Sequence, residues 1–478
     1  MGKASRKKQE RYAGVDGLGR PLFAEPDDAP AKLAGVPLSW LLAIVAVSMW
    51  AGAHLFGSYS YIAGAGYVIT GVLLGLVNPG LGAAVTVALV PFYGGEMSQG
   101  LGELVRSAPI IGSAIRLVFD RLRSRLEGGA PWAPDARLVG IAVLIMLLYP
   151  VTRITGNGTE WAPTSRLLDD ALFLVGAPVA MYAAWIVASH LPNAAISRLI
   201  ELTPIALVCA IAVALGAWAG IGLFDPLAFD GIVYGRLGAL GYPTPTGMGI
   251  AISLPLAVGA LWKRSVRLAL MVALLGIVAI ILTESRGPLF ALVAATLVTA
   301  ILGKNVPRRY VLGGAALLVS AVVVLLFVRY PDLLQRLSHL RLPKLKGDEY
   351  RVLSWFAGIQ IALAHPLTGG GWMSVRGWNE GELARKGVNL SHNMVLQGLA
   401  DGGFVLGGAI LAVIIGSIRS AWSRRRAIPI GFIAAAVAVI VCGLWDMPHL
   451  RSYAAVMGGL ALGLVARKVE ASDAEVAE

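Results

Sequence analysis

The sequence predicts an all-α polytopic membrane protein with about twelve transmembrane helices and one large, partly helical periplasmic loop before the last three spans. Of the 478 residues, 57% are hydrophobic and only 14% are charged, and the mean hydropathy is +0.72. This composition excludes a soluble globular domain. One segment differs from the rest, because residues 329–391 form a hydrophilic stretch of 63 residues between two apolar runs.

Twelve apolar runs are long enough to cross a hydrocarbon core of roughly 30 Å. They lie at residues 37–56, 59–77, 135–152, 168–188, 202–220, 245–262, 268–283, 287–302, 311–327, 393–416, 428–445 and 452–466. We therefore expect transmembrane helices 1–9 within residues 37–327 and helices 10–12 within residues 393–466. An even number of spans leaves both termini on the same side of the membrane.

The remaining segments complete the predicted organisation. Residues 1–36 form a basic cytoplasmic tail that we expect to be disordered, and residues 467–478 form a second cytoplasmic tail. Residues 80–93 are apolar but short and glycine-rich, which favours a re-entrant or interfacial segment. Residues 101–126 mix apolar and arginine positions and predict an amphipathic helix on the cytoplasmic surface. Residues 328–392 form the large loop.

The basic residues are distributed unevenly over the two faces of this topology. Of the 40 Lys and Arg residues, 26 fall on the face that carries the termini and 14 on the other. Nine of those 14 lie in the long loop, where the rule that short cytoplasmic loops are positive has little force. The asymmetry predicts cytoplasmic termini and a periplasmic loop. It also explains the net charge of +12 without a nucleic-acid partner, because the excess lies beside anionic membrane lipids.

Two arginines on the periplasmic face are not explained by membrane insertion. Arg286 lies in a tight turn between two apolar runs, and Arg236 lies in a glycine-flanked stretch that leads to another run. A guanidinium group donates two parallel hydrogen bonds and stays charged, which suits it to phosphate. Both residues are therefore candidate phosphate ligands. The alternative for Arg286 is a pair with Glu284 or contact with lipid headgroups.

The long loop ends in Ser391-His392-Asn393, and an apolar helix is predicted to begin at Met394. A histidine can take up and release a proton near neutral pH, so His392 is a candidate general base at the membrane surface. The alternative is a histidine that only marks the end of a helix. Earlier in the loop, residues 350–364 have helical character, and His365-Pro366 is expected to end that helix.

The loop also contains a glycine run and several tryptophans. The three glycines at 369–371 could offer backbone N–H groups to an anion, although a plain turn is the simpler interpretation. Trp355, Trp372 and Trp378 could stack on sugar rings, although aromatic residues are also expected at a membrane interface.

Several enzyme signatures are absent from the sequence. It contains no Asp-x-Asp triplet for a metal-bound nucleotide sugar, no Walker loop, no His-Glu-x-x-His and no Gly-x-Ser-x-Gly. Its outward-facing carboxylates are scattered without metal-ligand spacing. The sequence therefore favours chemistry without a metal or other cofactor, although ligands from distant loops can also converge.

Together these elements resemble the O-antigen ligase and O-antigen polymerase superfamily of bacterial inner-membrane C-type glycan transferases. The resemblance covers roughly residues 230–415. The matching pieces are Gly235-Arg236-Leu237, Thr283-Glu284-Ser285-Arg286-Gly287, Arg351-Val352-Leu353-Ser354-Trp355, His365-Pro366-Leu367-Thr368-Gly369-Gly370-Gly371, and Ser391-His392-Asn393-Met394-Val395-Leu396-Gln397 followed by Gly402-Gly403.

The resemblance implies a glycan carried on undecaprenyl diphosphate and transferred to an acceptor sugar hydroxyl at the periplasmic face. It also implies that Arg236 and Arg286 hold the diphosphate and that His392 assists the acceptor hydroxyl, with inversion and without a metal. Further possible substrate contacts are Arg351, Arg376, Trp372 and Asn393. One departure from the family pattern is Asp401-Gly402-Gly403, where a glutamate-glycine pair is expected.

Three functions remain open at this stage. The first is a ligase that joins the glycan to a lipid A-core or similar acceptor, and the second is a polymerase that uses a second lipid-linked repeat unit. The third is a transporter of lipid-linked sugars, which would place charged residues at mid-membrane depth. Because the predicted spans are nearly free of charge, an enzyme is favoured over a transporter.

Overall fold

The computed structural model describes residues 32–33, 36–55, 60–92, 99–126, 136–155, 167–221, 232–233, 236–238, 243–303, 313, 348–385, 388, 390–425 and 427–467. Nearly all of these residues are helical. The structure also has two short antiparallel strand pairs. Strand β1 (Lys32–Leu33) pairs with β2 (Val36–Pro37), and β3 (Ile232–Val233) pairs with β4 (Arg236–Leu237).

Fifteen α-helices lie within the described residues. They are α1 (Leu38–Leu55), α2 (Ser60–Val77), α3 (Pro79–Leu89), α4 (Gln99–Leu126), α5 (Ala136–Thr155), α6 (Leu167–His190), α7 (Asn193–Trp218), α8 (Pro243–Trp262), α9 (Val266–Leu282), α10 (Arg286–Leu302), α11 (Asp348–Ala364), α12 (Ser374–Arg385), α13 (Met394–Ser423), α14 (Ile430–Trp445) and α15 (Ser452–Ala466). A 3₁₀ turn, Pro448–Leu450, lies between α14 and α15.

Helix length and composition agree with a multi-pass membrane protein. Five helices, α5, α6, α7, α8 and α13, are long and apolar enough to cross a membrane, and seven shorter apolar helices accompany them. Eleven of the twelve predicted runs coincide with helices. Three segments lie outside the described residues, namely the run at 311–327 apart from residue 313, the first part of the predicted loop and most of both predicted tails. The number of spans and their orientation stay predictions.

Several helices meet at one end of the packing, which we call the site end. Helices α6, α8, α10, α13 and α15 begin there, and α5 and α14 end there. Three hydrogen bonds define this end, from the Trp372 amide to the Thr152 carbonyl (3.0 Å), from the Ser285 hydroxyl to the Thr244 hydroxyl (3.2 Å), and from the Asn393 amide to the Leu444 carbonyl (3.2 Å).

The first half of α4 packs against neighbouring helices, and its placement at the cytoplasmic surface stays a prediction. This helix starts at the site end, where the amide of Gly100 donates to Asp169 of α6 at 2.8 Å. It then runs parallel to α6, and the Ser107 hydroxyl donates to the Gly176 carbonyl at 2.9 Å. Residues 102–114 are buried except for the partly buried Leu104, and the exposed arginines lie only in the second half.

Two physical causes explain the burial of the first half of α4. Its backbone approaches α2 and α6 closely, and a Cβ at Gly75 would lie 2.2 Å from the Pro109 carbonyl oxygen. Glycine is the only residue that permits such an approach. In addition, Glu103 and Arg106 look like surface charges in sequence but form a buried ion pair at 2.7 Å. The charges that suggested an amphipathic helix are therefore partly internal.

The segment predicted at 80–93 forms the short helix α3. Asn78 caps it, and its side-chain oxygen accepts from the amide of Leu81 at 3.0 Å. After the helix, Phe92 packs edge-on against Trp50 of α1, with 6.0 Å between the ring centroids. Whether this segment is re-entrant or interfacial stays a prediction.

Helix α13 is broken at Gly402 and Gly403. Gly403 has φ 64° and ψ −160°, a combination that essentially only glycine adopts. A Cβ at Gly403 would also lie 2.5 Å from the carbonyl oxygen of Pro366. The break therefore lets the loop that follows α11 pack directly onto the backbone of α13.

Candidate active site

The candidate site forms where α13 begins beside the end of α14. Asn393 is the N-cap of α13, and its side-chain oxygen accepts from the amides of Val395 and Leu396 at 3.0 and 3.1 Å. Its amide nitrogen donates to the carbonyl of Leu444 in α14. The predicted helix start at Met394 is confirmed. Asn393 thus has a structural role, because these contacts fix the start of α13.

His392 is adjacent to this cap and faces Asp446. The imidazole Nδ1 lies 3.4 Å from Oδ1 of Asp446, the residue that directly follows α14. The His392 side chain is 36% exposed, whereas that of Asp446 is only 15% exposed. His392 also has φ 51°, a left-handed conformation that is strained for a residue with a side chain. Backbone strain of this kind occurs frequently at functional sites.

Asp446 lies in an environment that stabilises its charged form. Burial by itself would raise the pKa of this carboxyl group. The hydrogen bond from His392, the charges of His392 and Arg351, and the hydrogen bond from the Met447 amide outweigh burial and lower the pKa. Asp446 is therefore an anion at neutral pH, and Arg351 belongs to the same electrostatic cluster.

Arg286 lies at the start of α10, which packs along α14. Its neighbour Gly287 lies close to α14, because a Cβ at Gly287 would be 3.5 Å from the Cβ of Trp445. Phe290, one turn later, has its ring 5.9 Å from that of Trp445. Since Asp446 follows Trp445, the first turn of α10 lies beside the helix end that carries the partner of His392.

The helix start at Arg286 also has a strained turn before it. Glu284 has φ 49°. Like His392, it is a residue other than glycine that adopts the left-handed conformation, and it lies in the turn that leads into α10. The hydroxyl of Ser285 donates to Thr244 of α8, which fixes this turn against the neighbouring helix start. The backbone at Arg286 is thereby held in one place.

Arg236 lies in strand β4, whose residues pack against α7, α8 and α9. Leu237 in the same strand is fully buried, which anchors the strand in the helix packing. A Cβ at Gly238 would lie 3.1 Å from the ring of Pro243, the first residue of α8. Strand β4 therefore lies at the site end, although the side chain of Arg236 is outside the described part of the structure.

The tryptophans of the loop occupy different environments. Trp372 is only 3% exposed, and its ring lies 5.6 Å from that of Phe173 in α6. Trp355 is closer to the candidate site, with its ring 6.3 Å from that of Trp445. Trp378 packs edge-on against Phe356 of α11. Trp355 is thus the tryptophan that the structure brings nearest to the end of α14, whereas Trp372 packs inside the protein.

The glycine run is used by the protein itself. The amide of Gly370 donates to the Ala400 carbonyl at 2.8 Å, and the amide of Gly371 donates to the Asp401 carbonyl at 3.1 Å. These carbonyls become available because α13 is broken after Asp401. The two amides are therefore not open to an anion, and the plain structural interpretation of the run is correct.

The structure brings some of the predicted residues together and leaves others apart. His392, Asn393 and Arg351 cluster around Asp446, and the start of α10 lies beside them. Arg376 lies in the first turn of α12, and its Nε is buried without a hydrogen-bond partner among the described residues. Among all the residues that the structure describes, no group of three or more His, Cys, Asp or Glu side chains is arranged to hold a metal ion.

Asp446 is the site residue that sequence reasoning missed. In sequence it is one of the scattered outward-facing carboxylates, and nothing there links it to His392. The one available signal is its position, since it is the first polar residue after the apolar run at 428–445. An ionisable residue at that place is not required to end a helix, so it is a candidate for a specific contact.

Comparison with known proteins gives one family match. Residues 270–412 match the model of the O-antigen ligase family. This confirms the predicted resemblance over a segment that includes Arg286, Arg351, Arg376 and His392. Arg236 and Asp446 lie outside the matched residues. No curated protein matches the chain.

Proposed function

We propose that the protein is a glycosyltransferase of the O-antigen ligase type. It moves a glycan from undecaprenyl diphosphate to a sugar hydroxyl of lipid A-core or a similar acceptor at the periplasmic face of the inner membrane. The match over residues 270–412 supports a ligase- or polymerase-type reaction. The observation that carries the proposal is the pair of His392 and Asp446, because it provides a base where the predicted loop meets the ends of two apolar helices.

The proposed base is His392. With a proton on Nδ1, the imidazole donates to Asp446 and leaves Nε2 free to accept a proton. Asp446 is fixed by the Met447 amide, which donates to Oδ1 at 2.9 Å. Its negative charge stabilises the imidazolium that forms during the reaction. In this role Asp446 orients the ring and does not itself take up the proton.

The reaction is a single displacement at the anomeric carbon. The acceptor oxygen forms a bond to this carbon from the face opposite the diphosphate, and its proton passes to Nε2 of His392. The bond between the anomeric carbon and the diphosphate oxygen breaks, and its electron pair stays on that oxygen. Attack from the opposite face inverts the anomeric configuration.

Arginines are proposed to stabilise the leaving group. Negative charge builds up on the diphosphate as its bond to the sugar breaks, and fixed guanidinium groups stabilise it without a metal ion. Arg286 is the first candidate, because its helix starts beside the end of α14. Arg236 is the second, and Arg351 and Arg376 are further candidates for contact with the diphosphate or the glycan.

Glycolipid analysis in cells tests this function. In cells that lack the gene, we expect long glycan chains to remain on the polyprenyl carrier and the acceptor glycolipid to lack them. The wild-type gene should restore transfer, and His392→Ala should not. His190→Ala is the matched control, because His190 ends α6 at the end opposite the site.

The same experiment separates the remaining functions. Loss of a polymerase would leave single repeat units on the carrier instead of long chains. Loss of a transporter would leave the lipid-linked sugar on the cytoplasmic side. Full transfer by the His392→Ala protein would contradict the assignment of the base.

A further inference from the structure

The residue before His392 is held by buried hydrogen bonds. The backbone amide of Ser391 donates to Oε1 of Gln397 at 2.8 Å. The backbone carbonyl of Ser391 accepts from the hydroxyl of Ser354 at 3.1 Å. All three of these residues are fully buried. The Ser391 hydroxyl also lies 3.1 Å from Gln397 Oε1. His392, the next residue, has a strained left-handed backbone, and the hydrogen bonds of Ser391 help to hold that conformation.

The side chain of Gln397 is matched to both of its neighbours. Its Oε1 faces an N–H donor on Ser391, and its Nε2 donates to Oδ1 of Asp401 at 2.8 Å. The backbone amide of Ser391 fixes the orientation of the carboxamide, since a backbone N–H only donates and therefore faces Oε1, which leaves Nε2 to donate to Asp401. A hydrocarbon side chain would satisfy neither neighbour.

Asp401 joins this arrangement to the loop that precedes the site. Its backbone carbonyl accepts from Gly371, and the break in α13 begins at the next residue. Asp401 is fully buried, and its Oδ2 has no hydrogen-bond partner among the described residues. The chain of contacts therefore runs from the glycine run through Asp401 and Gln397 to the backbone of Ser391.

We infer that Gln397 and Asp401 are positioning residues for His392, which hold the strained backbone so that the imidazole faces Asp446 and the acceptor. This inference rests on the proposed function, in which His392 takes the proton of the acceptor hydroxyl. It gives a role to the Asp401-Gly402-Gly403 segment, where the chain departs from the family pattern. Neither residue is proposed to touch the substrate.

Kinetics with purified full-length protein test the inference. The donor is the lipid-linked glycan extracted from cells that lack the gene, and the acceptor is the glycolipid from the same cells. Because a displacement of about 1 Å at a reacting group can cost about 100-fold in rate, we expect Gln397→Leu to lower kcat by about that factor. The KM for the donor and the affinity for undecaprenyl diphosphate should change by no more than about two-fold.

A reciprocal exchange distinguishes positioning from general folding. Gln397→Glu alone places a second acidic side chain next to Asp401 and removes the Nε2 donor between them. Combining Gln397→Glu with Asp401→Asn restores one donor and one acceptor in the opposite order. We expect the single variant to lose activity and the double variant to recover most of it. Ser417→Ala is the control. Ser417 lies farther along α13, and its hydroxyl accepts a buried hydrogen bond from the indole N–H of Trp185 in α6.

The possible outcomes lead to different conclusions. If His392→Ala keeps full activity, the proposed base is wrong. If His392→Ala is inactive but Gln397→Leu keeps its kcat, only the positioning inference is wrong. The inference is also overturned if Gln397→Leu lowers kcat and diphosphate affinity together and the double variant recovers neither. If Gln397→Leu does not fold, the double variant decides by itself, because recovery supports the inference and inactivity of the folded protein overturns it.

Discussion

His392 and Asp446 are 54 residues apart in sequence, yet their side chains meet with 3.4 Å between Nδ1 and Oδ1. His392 precedes one apolar helix and Asp446 follows another, so the pair joins two helix ends at the site end of the packing. A partly exposed imidazole beside a less exposed anion is suited to accept a proton. Five predictions test the site and the packing that supports it.

Asp446→Asn should reduce glycan transfer by about 100-fold, because the neutral amide no longer stabilises the imidazolium of His392. The measurement is the initial rate of transfer from the extracted lipid-linked donor. Asp120→Asn serves as the control, since Asp120 pairs with Arg116 on an exposed surface of α4. Equal rates for the wild type and Asp446→Asn would argue against the orienting role.

Arg286→Lys should weaken binding of undecaprenyl diphosphate by about 10-fold or more, because lysine keeps the charge but loses the planar pair of donors. The affinity of the purified protein for this lipid measures the effect. Arg264→Lys is the matched control, because Arg264 pairs with Glu201 at an exposed position. If the two variants bind equally well, Arg286 does not hold the diphosphate.

Gly403→Ala should destabilise the protein by about 3 kcal/mol or more, since a positive φ is combined with a Cβ 2.5 Å from the Pro366 carbonyl oxygen. Gly408→Ala lies in the same helix, and a Cβ there would meet nothing within 4 Å. This control should be neutral or slightly stabilising. Thermal unfolding in detergent compares them, and similar melting temperatures would refute the requirement for glycine at the break.

Glu103→Gln should destabilise the protein by about 3–5 kcal/mol, because it leaves buried charge without its partner. Glu103 is fully buried, lies 2.7 Å from Arg106 and accepts from the amide of Ser452 at 2.7 Å. The exposed Glu201→Gln should cost no more than about 1 kcal/mol. Denaturant unfolding measures both variants, and a small effect of Glu103→Gln would show that α4 does not depend on this contact.

His449 should make the stability of the protein sensitive to acid. Burial lowers the pKa of His449 from 6.5 to about 3, and the nearby charge of Asp446 offsets this only in part. Since the unfolded chain takes up a proton near pH 6.5 and the folded protein does not, stability should fall as the pH decreases from 6.5 towards 3. The loss from this group is at most about 1.4 kcal/mol per pH unit.

His449→Phe should reduce this loss, because phenylalanine has no proton to gain. The ring of His449 lies 5.7 Å from that of Tyr149, and neither of its nitrogens has a hydrogen-bond partner among the described residues. Phenylalanine can therefore keep the ring contact without leaving a partner unpaired. The test is the unfolding midpoint of both proteins between pH 7 and pH 4. Identical pH dependence would exclude His449 as its source.

Local patterns in the sequence predicted most of the helices. The end of α11 at His365-Pro366 and the start of α13 at Met394 follow from proline and capping chemistry within a few residues. The apolar runs coincide with helices because a membrane-crossing segment needs about 20 apolar residues and satisfies its backbone internally. Residues 304–312 and 314–347 lie outside the described structure, so the predicted span at 311–327 stays a prediction.

The sequence by itself determined the helical class, the long polar segment and His392 as the candidate base, since composition, hydropathy and residue chemistry are local properties. Only the tertiary structure decided that Asp446 is the partner of His392, that residues 105–114 are buried, and that the glycine run binds the broken helix. These three results depend on which backbones approach each other closely. Pairing between distant segments is set by packing of the whole chain, and no short stretch of sequence contains it.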